Sequence, residues 1–91
     1  MAKIITTETF DYIKNLKLNL TNSQVVALGQ LIEDISIYSF ERSHLKEVLL
    51  MKDPTINRIR GAWISLKRVN GRPIRETVKM RLAEVKLWQK V

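Results

Sequence analysis

Apolar side chains recur along this chain at intervals of three and four residues, the spacing that lines one face of a helix. Phe10, Ile13 and Leu16 predict a short helix over 8–17 with Thr7 as its cap. Thr21-Asn22-Ser23-Gln24 has the form of a capping box, in which a hydroxyl accepts from the third helical N–H and the glutamine reaches back. Val25, Leu28, Leu31, Ile32 and Ile35 follow it as the apolar stripe of a second helix. The stretch 16–20 alternates leucine with polar residues and, like Lys3-Ile4-Ile5, has the pattern of a short strand, but one such pair hardly defines a sheet, and it reads as loop. Ser36, Ile37 and Tyr38 read as a connection, after which Ser39 caps a third helix over 40–51 that turns Leu45, Val48 and Leu49 inward.

Asp53-Pro54 predicts the start of a fourth helix, because Asp accepts from free N–H groups and Pro gives up an N–H that would be unpaired in the first turn. Asn70-Gly71, both tolerant of left-handed backbone, predicts its end after Val69, and a fifth helix follows over 73–89. The fold class is therefore all-α, a small single-domain bundle of about five helices over 1–91. The connection 52–55 between the third and fourth helices has the length used in a helix-turn-helix.

Charge divides the chain more sharply than hydropathy does. Sixteen Lys and Arg stand against nine Asp and Glu, for a net +7. Residues 1–53 carry six of the cations and seven of the acids, a near-neutral half. Residues 54–91 hold Arg58, Arg60, Lys67, Arg68, Arg72, Arg75, Lys79, Arg81, Lys86 and Lys90 against only Glu76 and Glu84. A one-signed half of a small domain repels itself unless an anion meets it, so the expected partner is duplex DNA, with an acidic protein as the alternative and RNA behind both. The 45% apolar content fits a folded chain. No run approaches the ~20 apolar residues of a membrane span, and the first residues lack the apolar stretch of a secretory signal, so a cytoplasmic location is expected.

The fourth helix carries the candidate reading surface. Ile56, Ile59, Ala62, Trp63, Leu66 and Val69 fall on one side, while Asn57, Arg60, Gly61, Ile64, Lys67 and Arg68 fall on the other. Arginine forks onto guanine, asparagine pairs with adenine, glycine permits close approach and an apolar side chain meets a thymine methyl. Asn57 and Arg60 are the candidates for base contact, and Arg58, Lys67, Arg68, Arg72, Arg75, Lys79 and Arg81 for phosphates or bases. A second placement makes 72–78 the turn and start of recognition, with Arg75, Thr77, Lys79 and Arg81 near the phosphates. Together with Met80-Arg81-Leu82 this segment loosely resembles the beginning of recognition helices in some transposase and repressor helix-turn-helix domains. The resemblance covers under twenty residues and lacks the small residue and turn glycine of those motifs, so it identifies no family.

On the fifth helix Ile74, Val78, Leu82, Val85 and Trp88 form one apolar stripe, and Met80, Ala83, Leu87 and Val91 fall nearly opposite. Either the helix is central or its second stripe meets another protein or a second copy of the chain, as a homodimer. Trp63 and Trp88 read as core anchors.

Catalytic sites find little material. Cysteine is absent and His44 is the only histidine, which leaves neither a metal site nor a catalytic triad. Three isolated glycines make no phosphate loop. A small DNA-binding regulator or accessory factor of the phage or mobile-element kind, needing no cofactor and catalysing nothing, is the expectation; an inhibitor or adaptor docking an acidic host protein is the rival.

Overall fold

The computed structural model describes residues 4–90, which form six helices and no strand. In chain order these are α1 (Thr7–Asn15), α2 (Asn22–Ile35), α3 (Ile37–Glu41), α4 (His44–Leu50), α5 (Ile56–Ile64) and α6 (Ile74–Trp88). The architecture is all-α, and one cluster of buried apolar side chains runs through every helix, from Ile13 through Leu28, Leu31, Phe40, Leu45 and Trp63 to Trp88. Helix α2 is central, packing most extensively on α6 and also on α1 and α3. Trp63 and Trp88 stack tilted at 5.3 Å between ring centres inside this core.

Each departure from the sequence reading has a physical cause in named contacts. Helix α1 is capped by Thr6, one residue earlier than expected, and it turns Thr9 and Ile13 inward while Phe10 is 43% exposed. Glu33 of α2 sets that rotation: its Oε2 accepts from Thr6 N at 2.8 Å, Thr6 Oγ1 at 2.8 Å and Thr9 Oγ1 at 2.6 Å. The other side of α1 is tied down by Tyr12, whose hydroxyl donates to Glu41, where Lys46 Nζ also donates at 2.7 Å. The capping box of α2 forms as expected, with Gln24 N donating to Thr21 Oγ1 at 3.2 Å and Thr21 N to Gln24 Oε1 at 3.0 Å.

The single helix expected over 40–51 is two helices. Ser36 ends α2 and caps α3 from a positive φ of 83°, so Ile37 and Tyr38 are helical rather than connecting. Ser43 then breaks the run, its hydroxyl donating to Phe40 O at 2.7 Å while accepting from Lys46 N at 3.3 Å as the cap of α4. The next helix starts later than Asp53-Pro54 suggested, because Asp53 takes the left-handed conformation (φ 51°) and Thr55 does the capping. It also stops at Ile64 instead of Val69. Ser65 donates its hydroxyl to the Ala62 carbonyl at 2.6 Å, the acceptor that Leu66 N would use in a continued helix, and Leu66 N bonds Trp63 O at 3.1 Å instead. Gly71, at φ 80°, turns the connection back toward Pro73, the cap of α6.

Candidate nucleic-acid interface

The core-facing line of α6 is Thr77, Arg81, Glu84 and Trp88, steps of four, three and four, with Val85 beside it. This corrects the two-stripe reading of the helix: Ile74 and Leu82 are largely exposed, and charge occupies the centre of the buried face. Arg81 is 0% exposed, its Nη1 donating to both Glu84 oxygens at 3.1 Å and its Nη2 to Asp34 Oδ2. Arg72 forks onto the same Asp34 from the edge, with Nη1 donating to Oδ1 at 3.0 Å, Nη2 to Oδ2, and Nε to Thr77 Oγ1 at 2.9 Å. Trp63 Nε1 completes the network by donating to Glu84 Oε1 at 3.0 Å. Two guanidiniums and two carboxylates balance, and among the described residues no buried side-chain nitrogen or oxygen lacks a partner. Arg81, Arg72 and Thr77 are thereby removed from the candidate surface: Arg81 and Thr77 are wholly buried, and Arg72 is committed to Asp34.

Burial pushes the Glu84 carboxyl above its ordinary value of 4.5, outweighing the Trp63 hydrogen bond and the Arg81 charge that pull it down. The folded protein therefore holds this proton to higher pH than the unfolded chain, and stability falls as pH rises through the window above 4.5. Urea midpoints measured from pH 4 to 7 are expected to show this slope against Glu84→Gln, in which Trp63 keeps an acceptor; a constant offset between the two curves would contradict it.

The remaining candidates face solvent. On α5 the buried side is Ile59, Ala62 and Trp63, and directly opposite lie Asn57 and Gly61, both exposed, and Ile64, half-buried. Arg58 and Arg60 are exposed on the two flanks of that strip. Arg58 also brings Nη1 to 3.8 Å from Met51 Sδ, at the connection from α4. The connection after α5 carries half-buried Lys67 and exposed Arg68, and α6 adds exposed Arg75, Lys79, Lys86 and Lys90. Among the described residues none of these cations is in an ion pair with a carboxylate. Arg68 and Asn70 border an open cleft of about 370 Å³ that reaches Ser39 and Asp34.

The glycines separate by what surrounds them. A side chain on Gly29 would strike Ile5, at 2.7 Å from a built Cβ, and Gly71 needs its positive φ. Gly61 has an ordinary helical backbone and nothing within 4 Å of where a Cβ would stand. A glycine inside an exposed helix costs about 1 kcal/mol relative to alanine, and nothing within the described chain requires it here.

Met80 and Leu87 are half-buried and Ala83 is exposed, while Val91, the fourth member of that expected stripe, lies outside the described residues. His44 is exposed, with Nδ1 3.4 Å from Glu47. Among the described residues no three potential ligands gather as a metal site would require, and no helix is long and apolar enough to cross a membrane. Comparison with known protein families, with curated proteins and with solved structures finds no match to this chain.

Proposed function

We propose that this is a small DNA-binding protein of the regulatory or accessory kind, which lays the outward face of α5 into the major groove of a duplex. The observation that carries the reading is Gly61: a helix-weakening residue that nothing among the described residues requires, centred on a solvent-facing strip between Asn57 and Ile64 and bracketed by two exposed arginines. A bare backbone at that point lets a helix approach base edges closely, as a side chain would not. Asn57 and Arg60 then have the chemistry to read bases. Arg58, Lys67, Arg68, Arg75 and Lys79 have the charge to hold phosphates on either side. Helix α4, the connection through Thr55 and α5 supply the order of elements of a helix-turn-helix. The deep, narrow major groove of A-form RNA does not admit a helix, which favours DNA.

Binding to duplex DNA, duplex RNA and single strands across a salt series tests the proposal. Duplex DNA is expected to bind best, with log affinity falling at about −0.9 per phosphate neutralised, or roughly −4 to −5 for five contacts. Weak and equal binding to all three would reject it. The glycine gives a second, internal test with effects of opposite sign. Gly61→Ala is expected to raise stability by about 0.5–1 kcal/mol, whereas Gly61→Gln, equally tolerable to the fold, is expected to weaken duplex binding about tenfold or more. Unchanged DNA affinity in Gly61→Gln would remove α5 from the groove.

A further inference from the structure

The C-terminal half of α6 presents a second surface, of different chemistry from the α5 strip. Ala83 and Leu87 form the apolar floor of a shallow cleft of about 500 Å³ whose rim is Lys86, Gln89 and Lys90. Met80, half-buried one turn earlier, extends the floor to positions i, i+3 and i+7 of one helix face. Lys86 and Lys90, four apart, stand along one shoulder, and among the described residues neither is in an ion pair.

Two requirements therefore sit side by side: an apolar stripe that gains by being covered, and a row of positive charge along its edge. A second copy of the chain satisfies the first and violates the second, since two proteins of net +7 would bring lysines to lysines. Phosphates satisfy only the second, having no use for Leu87 and Ala83. An anionic membrane wants a broader apolar face than one alanine and two half-buried side chains, with several bulky aromatic or leucine anchors where this stripe has Leu87 alone. An amphipathic helix with leucine-type anchors and a flanking row of Asp or Glu satisfies both.

We infer that the Met80–Ala83–Leu87 stripe of α6, edged by Lys86 and Lys90, is a docking groove for an acidic amphipathic helix of a partner protein. It is independent of the DNA reading and leaves α5 free, so one chain would connect a duplex to an acidic protein.

The test uses a fluorescent synthetic helix with three leucines spaced i, i+4 and i+7 among glutamates, and a charge-matched peptide with the leucines scrambled. Anisotropy titrations are expected to show the patterned peptide binding about tenfold or more tighter than the scrambled one. Leu87→Asp and, separately, the exposed Ala83→Glu are expected to abolish that difference. Gly61→Gln is expected to leave it intact. Helical circular dichroism identifies any variant that has lost its fold, and Ala83→Glu serves where Leu87→Asp does not fold. Equal binding of the two peptides, or a preference that survives both α6 variants, would overturn the inference. A dimer of the free protein in light scattering that dissociates in Ala83→Glu would also overturn it, assigning the groove to a second copy.

Discussion

Replacing Asp34 with alanine is expected to destabilise the protein by about 3–5 kcal/mol, a large share of what holds a domain of this size together. The carboxylate is 1% exposed and receives two arginines, one of them completely buried. Without it Arg81 keeps a guanidinium in the core with only Glu84 to balance it, and Arg72 loses both arms of its fork. The cost comes from the stranded charge more than from the lost attraction, which gives the experiment a second arm. Asp34→Leu combined with Arg81→Met and Glu84→Gln removes the buried charges together, leaves the partly exposed Arg72 to turn to water and Trp63 an acceptor, and is expected to lie much closer to the native stability than Asp34→Ala alone. Urea unfolding followed by tryptophan fluorescence measures both. A single Asp34→Ala variant within 1 kcal/mol of the parent would show that the network contributes little.

The second large effect is expected on binding, with stability held constant. Arg58→Glu with Arg60→Glu reverses two exposed cations that sit on either flank of the α5 strip and lack a carboxylate partner among the described residues. Folding should change by no more than about 0.5 kcal/mol. Duplex affinity should fall by roughly a hundredfold or more, with a shallower salt slope, as two favourable contacts become repulsive. The pair of experiments separates arginines of two kinds: loss of Asp34 or Arg81 should affect DNA only by unfolding the protein, whereas loss of Arg58 and Arg60 should affect DNA alone. If duplex affinity survives the double reversal, α5 is not the contact surface.

What was legible in the sequence is what neighbouring residues decide. The capping box at Thr21, the inward Ile59, Ala62 and Trp63 of α5, and hence the outward position of Asn57, Arg60 and Gly61, follow from spacing over a few residues. What was not legible depends on partners far along the chain. Apolar stripes suggested that Ile74 and Leu82 face inward and Arg81 outward, and the reverse holds because Asp34 lies 47 residues away, ready to receive the guanidinium. The repeated spacing of Thr77, Arg81, Glu84 and Trp88 was itself a signal: an arginine and a glutamate three apart, between a threonine and a tryptophan on one line, have the composition of a paired buried face. The early end of α5 left a fainter trace in Ser65, whose hydroxyl takes the Ala62 carbonyl.

The pairing of α2 with α6 also sets an order on the chain's appearance during synthesis. Translation proceeds from the near-neutral half, so Leu28, Leu31 and Asp34 emerge well before the helix that covers them. At roughly 5–20 residues per second, Asp34 waits some 2–10 s for Arg81, 47 positions later. For that interval an apolar helix face with Asp34 on its edge is open to water and to other nascent chains. A ribosome stalled between Ile64 and Pro73 would hold five of the six described helices and still lack the one that packs on α2 and α5, so the arginine-rich half completes the fold as well as supplying its charge.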